Sequence, residues 1–198
     1  MGEKIEFKTV ANISEGLYKE KGSKFIAYCI PFDKEESLKA ELNNIKKIHP
    51  QARHICYAYK VGVTIIKTRT NDDGEPNNSA GTPILGQINS FNITNVLIAV
   101  VVRYFGGTKL GIGGLVTAYK TAAKEAVLTN TIVTEVLKSM FEIEFSYLHL
   151  QQIMKLLKSN GAKIIFIDQS EMKKNQIQFE IEHHIATTLM NQLNEYLI

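Results

Sequence analysis

Residues 5 to 10 and 23 to 30 alternate apolar and polar positions with the period of a half-buried strand. In the second run Phe25, Ala27 and Cys29 share one face and Ile26, Tyr28 and Ile30 the other. Asp33 followed by Glu36 has capping-box spacing, and Leu38, Leu42, Ile45 and Ile48 then repeat at helical spacing until Pro50, which predicts a helix between them. Residues 53 to 60 and 63 to 69 read as a hairpin around Gly62, and Pro83 can open a short helix carrying Ile84, Leu85 and Ile88. Residues 96 to 102 are apolar on both faces, as a central strand is. Beyond them Leu115, Ala118, Tyr119, Ala122, Ala123, Ala126 and Val127 form one helical face, with Lys120 and Lys124 one turn apart on the other.

The pattern then restarts. Residues 140 to 145 alternate as a strand, and Leu150, Ile153, Met154 and Leu157 mark a helix that Asn160-Gly161 can close. Residues 163 to 168 and 176 to 182 read as strands, and Ala186, Leu189, Met190, Leu193 and Leu197 mark a last helix. Strand, helix, strand, strand, helix is most of a split βαβ unit. The Thr-rich stretch at 130 to 138 is therefore the expected boundary, giving domains at 1–133 and 138–198.

Bulk properties narrow this only a little. The 198 residues, 44% of them hydrophobic, can fill the cores of two small domains. A net charge of +3 does not by itself require a nucleic-acid partner. Cys29 and Cys56 sit inside apolar strand patterns, as buried free thiols do, and two cysteines make no disulfide framework. Residues 1 to 10 are charged and alternating, unlike a secretory leader, and no apolar run approaches the ~20 residues of a membrane span. A cytoplasmic protein without membrane contact is expected.

The chemistry-bearing residues cluster in two islands, NDDGEPNNSAGTP at 71 to 83 and RYFGGTKLGIGGL at 103 to 115. Five of the 13 glycines lie between Gly106 and Gly114. Glycine at that density marks positive φ or a backbone that something approaches closely. A strand runs into the second island and a helix runs out, an arrangement that suits an anion through free N–H groups and the helix dipole. Arg103 and Lys109 would contact phosphate while the backbone at Gly106, Gly107, Gly111, Gly113 and Gly114 completes the cradle and Lys120 extends it along the helix. The alternative is a tight strand-to-helix crossover with solvated cations. Neither a Walker A loop nor a dinucleotide fingerprint is present, because the following Lys-Ser/Thr and the third glycine are missing.

Asp72, Asp73 and Glu75 invite a Mg²⁺ or Ca²⁺ reading, but Asp-Gly and Glu-Pro are ordinary turn chemistry, and Asn77, Asn78 and Gly81 suit the same turns. This island, Ser79 included, is expected to face the glycine loop across a groove. His54 and Cys56 fall on one side of a strand, where packing rather than Cys-His catalysis is the reading. His183-His184 lacks companion zinc ligands and reads as the start of a helix. No catalytic residue, metal or cofactor is assigned.

The same islands resemble the YigZ/IMPACT family. The match is carried by Asp72-Asp73-Gly74-Glu75-Pro76, Ala80-Gly81 with Pro83-Ile84-Leu85, and Val101-Val102-Arg103-Tyr104-Phe105-Gly106-Gly107 followed by Lys109-Leu110-Gly111 and Gly113-Gly114-Leu115. Ser23-Lys24-Phe25-Ile26 and His54-Ile55-Cys56-Tyr57-Ala58-Tyr59 are also similar to family blocks. The resemblance implies an α+β protein with two domains. The first is like the second domain of ribosomal protein S-five, with a left-handed βαβ crossover. The second is ferredoxin-like, similar to the last domain of elongation factor G. Both recur in translation factors, so the resemblance implies RNA or the ribosome as a partner, with a protein partner in translation control as a further expectation. Asn77-Asn78-Ser79 departs from the family's Ser-Gly-Thr, and the chain ends at Ile198 with little room for a final ferredoxin strand.

The leading expectation is a non-enzymatic translation regulator binding RNA or the ribosome through the glycine-rich basic loop. One alternative is a nucleotide- or phosphate-dependent enzyme of the small-molecule-kinase-like fold, with nucleotide at residues 111 to 115 and Mg²⁺ on Asp72 or Asp73. The other is a protein-interaction module working through the C-terminal sheet face.

Overall fold

The alternating runs fold as strands and the 3.6-residue repeats as helices. In a computed structural model that describes residues 2–104, 109–168 and 175–198, the side chains of 102–104 excepted, the chain forms two compact units. One is Phe7–Thr134; the other joins Met1–Glu6 to Glu135–Ile198. The first unit's strands, of which the first residue of β1 and the last two of β7 fall in the other unit, are β1 (Glu6–Val10), β2 (Ser14–Glu20), β3 (Ser23–Pro31), β4 (His54–Val61), β5 (Lys67–Asn71), β6 (Val96–Tyr104) and β7 (Ile132–Val136). Its helices are α1 (Leu38–Ile48), α2 (Gly81–Ser90) and α3 (Gly111–Leu128).

Five strands make one sheet in the order β2-β3-β6-β4-β5, each antiparallel to its neighbours. β3 and β4 consequently run parallel on either side of β6, joined through α1. The doubly apolar 96–102 run is the centre of this sheet, as its pattern requires. Ile98 and Val100 face α2 and α3 with Phe25, Ala27, Cys56 and Ala58. Leu97, Ala99 and Val101 face α1 with Ile26, Tyr28, Tyr57 and Tyr59. The unit is thus three layers, and the central strands β3, β4 and β6 carry buried side chains on both faces.

Four local expectations are corrected. The first concerns β2, which the alternation rule misses because Ser-Glu-Gly-Leu-Tyr-Lys-Glu has no apolar face. Its inward position is Gly16, and a Cβ there would stand 2.2 Å from Ala126 N and 2.5 Å from Ala122 O. The strand lies on α3 because that side chain is absent. Second, the Thr-rich stretch contains a strand, β7, paired with β1; Ile, Val and Thr are strand formers whatever their polarity. Third, the capping box at Asp33 does not form: a 3₁₀ turn at Glu35–Ser37 precedes α1, and Ser37 Oγ donates to the Lys34 carbonyl instead. Fourth, α3 starts at Gly111, so Gly111, Gly113 and Gly114 lie in its first turn and not in the loop before it. First-turn N–H groups have no intrahelical partner in any case, so the low helix propensity of glycine is tolerated there.

The second unit has β8 (Lys138–Phe145), α4 (Leu150–Ser159), β9 (Lys163–Asp168), β10 (Asn175–Glu182) and α5 (His183–Leu193). Its sheet runs β8-β10-β9, all antiparallel. The helices close one face through Ile153, Leu157, Ala186, Leu189 and Leu193 over Ile143, Phe145, Ile177 and Phe179. The expected glycine closure of α4 is present, with Gly161 at φ 72° and Ala162 N donating to the Leu157 carbonyl. A final ferredoxin-type strand is reduced to one antiparallel bridge, Phe145 to Leu197, and an Ile198 N–H bond to Glu144 O. The α+β, ferredoxin-like expectation is met with its last strand at minimal length.

Candidate functional site

The first island is built by one carboxylate. Asp72 accepts from three backbone N–H groups, Asn78 at 2.9 Å, Ala80 at 3.0 Å and Gly81 at 2.8 Å, and so closes the loop onto the start of α2. Asp73 and Asn78 take positive φ, 42° and 62°, as Asp and Asn do more readily than other side-chain-bearing residues. Asp73 Oδ2 accepts the Ile55 N–H at 2.7 Å, and Asp73 O lies 2.6 Å from His54 Nδ1. Ser79 is fully buried with its hydroxyl donated to the Pro76 carbonyl. These three residues therefore shape the loop and do not line the cavity next to it. Both Asp72 carboxylate oxygens and Asp73 Oδ2 accept backbone N–H groups, and among the described residues no group of three or more His, Cys, Asp and Glu is arranged to hold a metal ion.

Glu75 is placed differently. Its Oε1 accepts the Tyr119 hydroxyl at 3.0 Å, and the Cys56 thiol lies 3.2 Å from that hydroxyl and 3.0 Å from the Asp72 carbonyl. Tyr119 is fully buried in α3, edge-on to Phe25 with ring centroids 5.2 Å apart. Burial raises both the phenol and the Cys56 thiol far above their ordinary values. A thiol held protonated in this way is no nucleophile, so Cys56 is a packed strand residue, whereas His54 is only partly buried and reaches the cavity beside it. Cys29 is likewise free and buried, its thiol pushed up to about 12 by desolvation.

Between this loop, the starts of β3 and β4, and the start of α3 lies a cavity of about 560 Å³. Its polar lining is Ser23, Arg53, His54, Glu75 and Lys109. Phe25, Pro76, Leu110, Ile112 and Leu115 make an apolar wall. Gly111, at φ 70°, sits where the chain turns into α3, a backbone state that other residues adopt only with strain. No acidic residue stands in the first turn of α3, and among the described residues no side chain caps it. The positive end of the helix dipole and two cations therefore converge on one concavity.

Of the residues singled out in the sequence, Glu75, Lys109 and Gly111 line this cavity. Gly113 and Gly114 follow within the same helical turn. A Cβ on Gly114 would meet Leu110 Cβ at 2.9 Å, a packing reason for glycine, whereas one on Gly113 would meet nothing within 4 Å. Lys120 is exposed on α3 and outside the cavity. The Arg103 side chain, Gly106 and Gly107 lie outside the described residues. Arg53 was missed by sequence reasoning. Its signal is its place directly before His54 in a family block, but a lone arginine ahead of a strand carries no spacing to mark it.

Comparison with known proteins agrees with this architecture. Residues 21–127 match the family model for the Impact N-terminal domain. The chain is 31% identical over 175 residues to the IMPACT family member YvyE of Bacillus subtilis, spanning 88% of this chain and 77% of that one. It is 35% identical over 150 residues to the IMPACT family member YigZ of Escherichia coli, spanning 75% and 73% respectively. Among solved structures, the crystal structure of a hypothetical protein superposes with a TM-score of 0.75 at 28% identity, covering 96% of this chain and 92% of that one. With the matched segment carrying both islands and the cavity between them, the chain belongs to the IMPACT family.

Proposed function

We propose that this protein binds RNA phosphates at the mouth of the Arg53–Lys109 cavity and acts in the cytoplasm as a regulator of translation at the ribosome. The observation that carries this reading is the convergence of Arg53, Lys109 and the uncapped start of α3 on a single cavity. Lys120 and Lys124 continue the positive charge along the exposed face of α3. They are one helical turn apart, a rise of about 6 Å. The backbone of Gly111, Gly113 and Gly114 in the first turn of α3 is assigned to the same surface.

Charge partition supports it. Residues 7 to 134 carry 16 Lys and Arg against 10 Asp and Glu, whereas residues 1 to 6 with 135 to 198 carry 7 against 10. The modest +3 of the chain thus conceals a basic unit and an acidic one. On β8 and β10 of the acidic unit, Gln176 and Gln178 pair with Glu144 and Glu142, a face poorly suited to phosphate. RNA contact therefore belongs to the first unit.

Binding through phosphates weakens steeply with salt, each lost contact flattening the log–log slope by about 0.7–0.9. The protein is expected to sediment with ribosomes at low salt and to release at high salt. The Arg53→Ala/Lys109→Ala double variant should lose sedimentation and bind structured RNA at least about tenfold more weakly across sequences alike. Double-variant binding equal to wild type would sink the assignment. The kinase-like alternative predicts a thermal shift with ATP or GTP and Mg²⁺. Both oxygens of Asp72 and Oδ2 of Asp73 already accept backbone N–H groups, which leads us to expect none.

A further inference from the structure

A surface that only follows a phosphate backbone needs cations and backbone amides. It has no use for an enclosed apolar wall, and a carboxylate in it is repulsive. This cavity has both. Phe25, Pro76, Leu110, Ile112 and Leu115 form one side of a space of about 560 Å³, within the size range of small-ligand sites. Glu75 stands among the cations, fixed by the Tyr119 hydroxyl through Oε1, so that among the described residues Oε2 is left for a donor on a ligand. His54 adds a second acceptor. Its Nδ1–H donates to the Asp73 carbonyl, and in the neutral ring that bond leaves Nε2 as a lone-pair acceptor.

A group suited to all three features is anionic at one end, carries a hydroxyl donor in the middle and is flat and apolar at the other. We propose that the cavity seats one everted ribonucleotide of a single-stranded RNA segment. Arg53 and Lys109 hold its phosphate, Glu75 Oε2 and His54 Nε2 flank its one free hydroxyl, the 2′-OH, as alternative acceptors, and the base lies against the wall of Pro76, Ile112 and Leu115. The 2′-hydroxyl is what tells RNA from DNA, so the two acceptors make the site selective for RNA. The wall offers apolar contact without donors or acceptors for base edges, so the preference among bases is weak. This inference rests on the phosphate-binding reading above and adds single-strandedness and sugar identity to it.

The test is fluorescence anisotropy on a labelled single-stranded heptaribonucleotide, its deoxy counterpart and the corresponding RNA duplex. In parallel, a central 2-aminopurine reports unstacking of the seated base. Wild type is expected to bind the single-stranded RNA about tenfold or more tighter than either competitor, the size of one lost buried hydrogen bond. The 2-aminopurine signal should rise on binding. His54→Phe should lower the RNA-to-DNA ratio while leaving the salt slope unchanged, because the phosphate contacts remain. Glu75→Gln keeps an oxygen for Tyr119 and should also lower the ratio, which guards against His54→Phe acting through the Asp73 loop. Equal binding of RNA and DNA by wild type, or ratios unmoved in both variants, overturns the nucleotide seat and leaves the phosphate reading standing. No binding of any oligonucleotide overturns both.

Discussion

Cys56, Tyr119 and Glu75 form a short polar chain through an otherwise apolar interior, ending at the cavity. Its chemistry is set by burial. Desolvation disfavours a thiolate and a phenolate alike, so both groups stay protonated at neutral pH and serve as donors. Glu75 stands at the open end, and the Tyr119 hydroxyl below aims it. The consequence is measurable on the thiols. Native protein at pH 8 should react with iodoacetamide at neither Cys29 nor Cys56, and unfolding should release two reactive thiols. Alkylation of native Cys56 at the rate of a free thiol would contradict the buried network and reopen nucleophilic chemistry at this position. At this scale the sequence identifies the residue types but not their couplings. Tyr119 reads correctly as part of the buried face of α3, yet nothing in periodicity distinguishes a packed tyrosine from one holding a carboxylate 44 residues away.

At the scale of elements, α3 carries both the packing and the proposed function, and its glycines divide the work. Gly111 answers a backbone requirement and Gly114 a contact with Leu110, but Gly113 answers neither. Glycine in a helix costs up to about 1 kcal/mol relative to alanine. Gly113→Ala is therefore expected to raise stability by about 0.5–1 kcal/mol in chemical denaturation while weakening RNA binding severalfold, because the added methyl stands where a ligand approaches. Unchanged RNA affinity in this variant would argue that Gly113 has no part in the interface. At the other end of the helix Gly16 is the opposite case. There the methyl would meet backbone, and the sequence conceals it because a glycine with no side chain to pack leaves no hydrophobic pattern to read.

The whole molecule is two units whose chain boundaries interleave. Residues 2 to 6 precede the first unit in sequence but belong to the second, where Leu137 N donates to Ile5 O and Gly2 approaches His184. Deletion of residues 2 to 6 is accordingly expected to lower the unfolding midpoint of the acidic C-terminal unit and to leave that of Phe7–Thr134 unchanged. Calorimetry or fragment-resolved hydrogen exchange would separate the two. Loss of protection in the five-stranded sheet instead would show that the N-terminal segment serves the other unit.

Sequence alone determined which segments are strands and helices wherever one face is apolar: the doubly apolar β6, the alanine-lined face of α3, the restart near residue 138. It also located both islands, because turn residues and glycines carry their backbone chemistry locally. The tertiary structure decided what those islands do. Burial and hydrogen bonding separated Asp72, Asp73 and Ser79, which hold the loop together, from Glu75, which faces a cavity. Folding also brought Lys109 to that cavity beside Arg53 and His54, which lie more than 50 residues earlier in the chain. Strand and helix follow from neighbours a few residues away. A site depends on which remote groups the packed sheet sets side by side and which of their polar atoms it leaves uncommitted, and no local pattern records that.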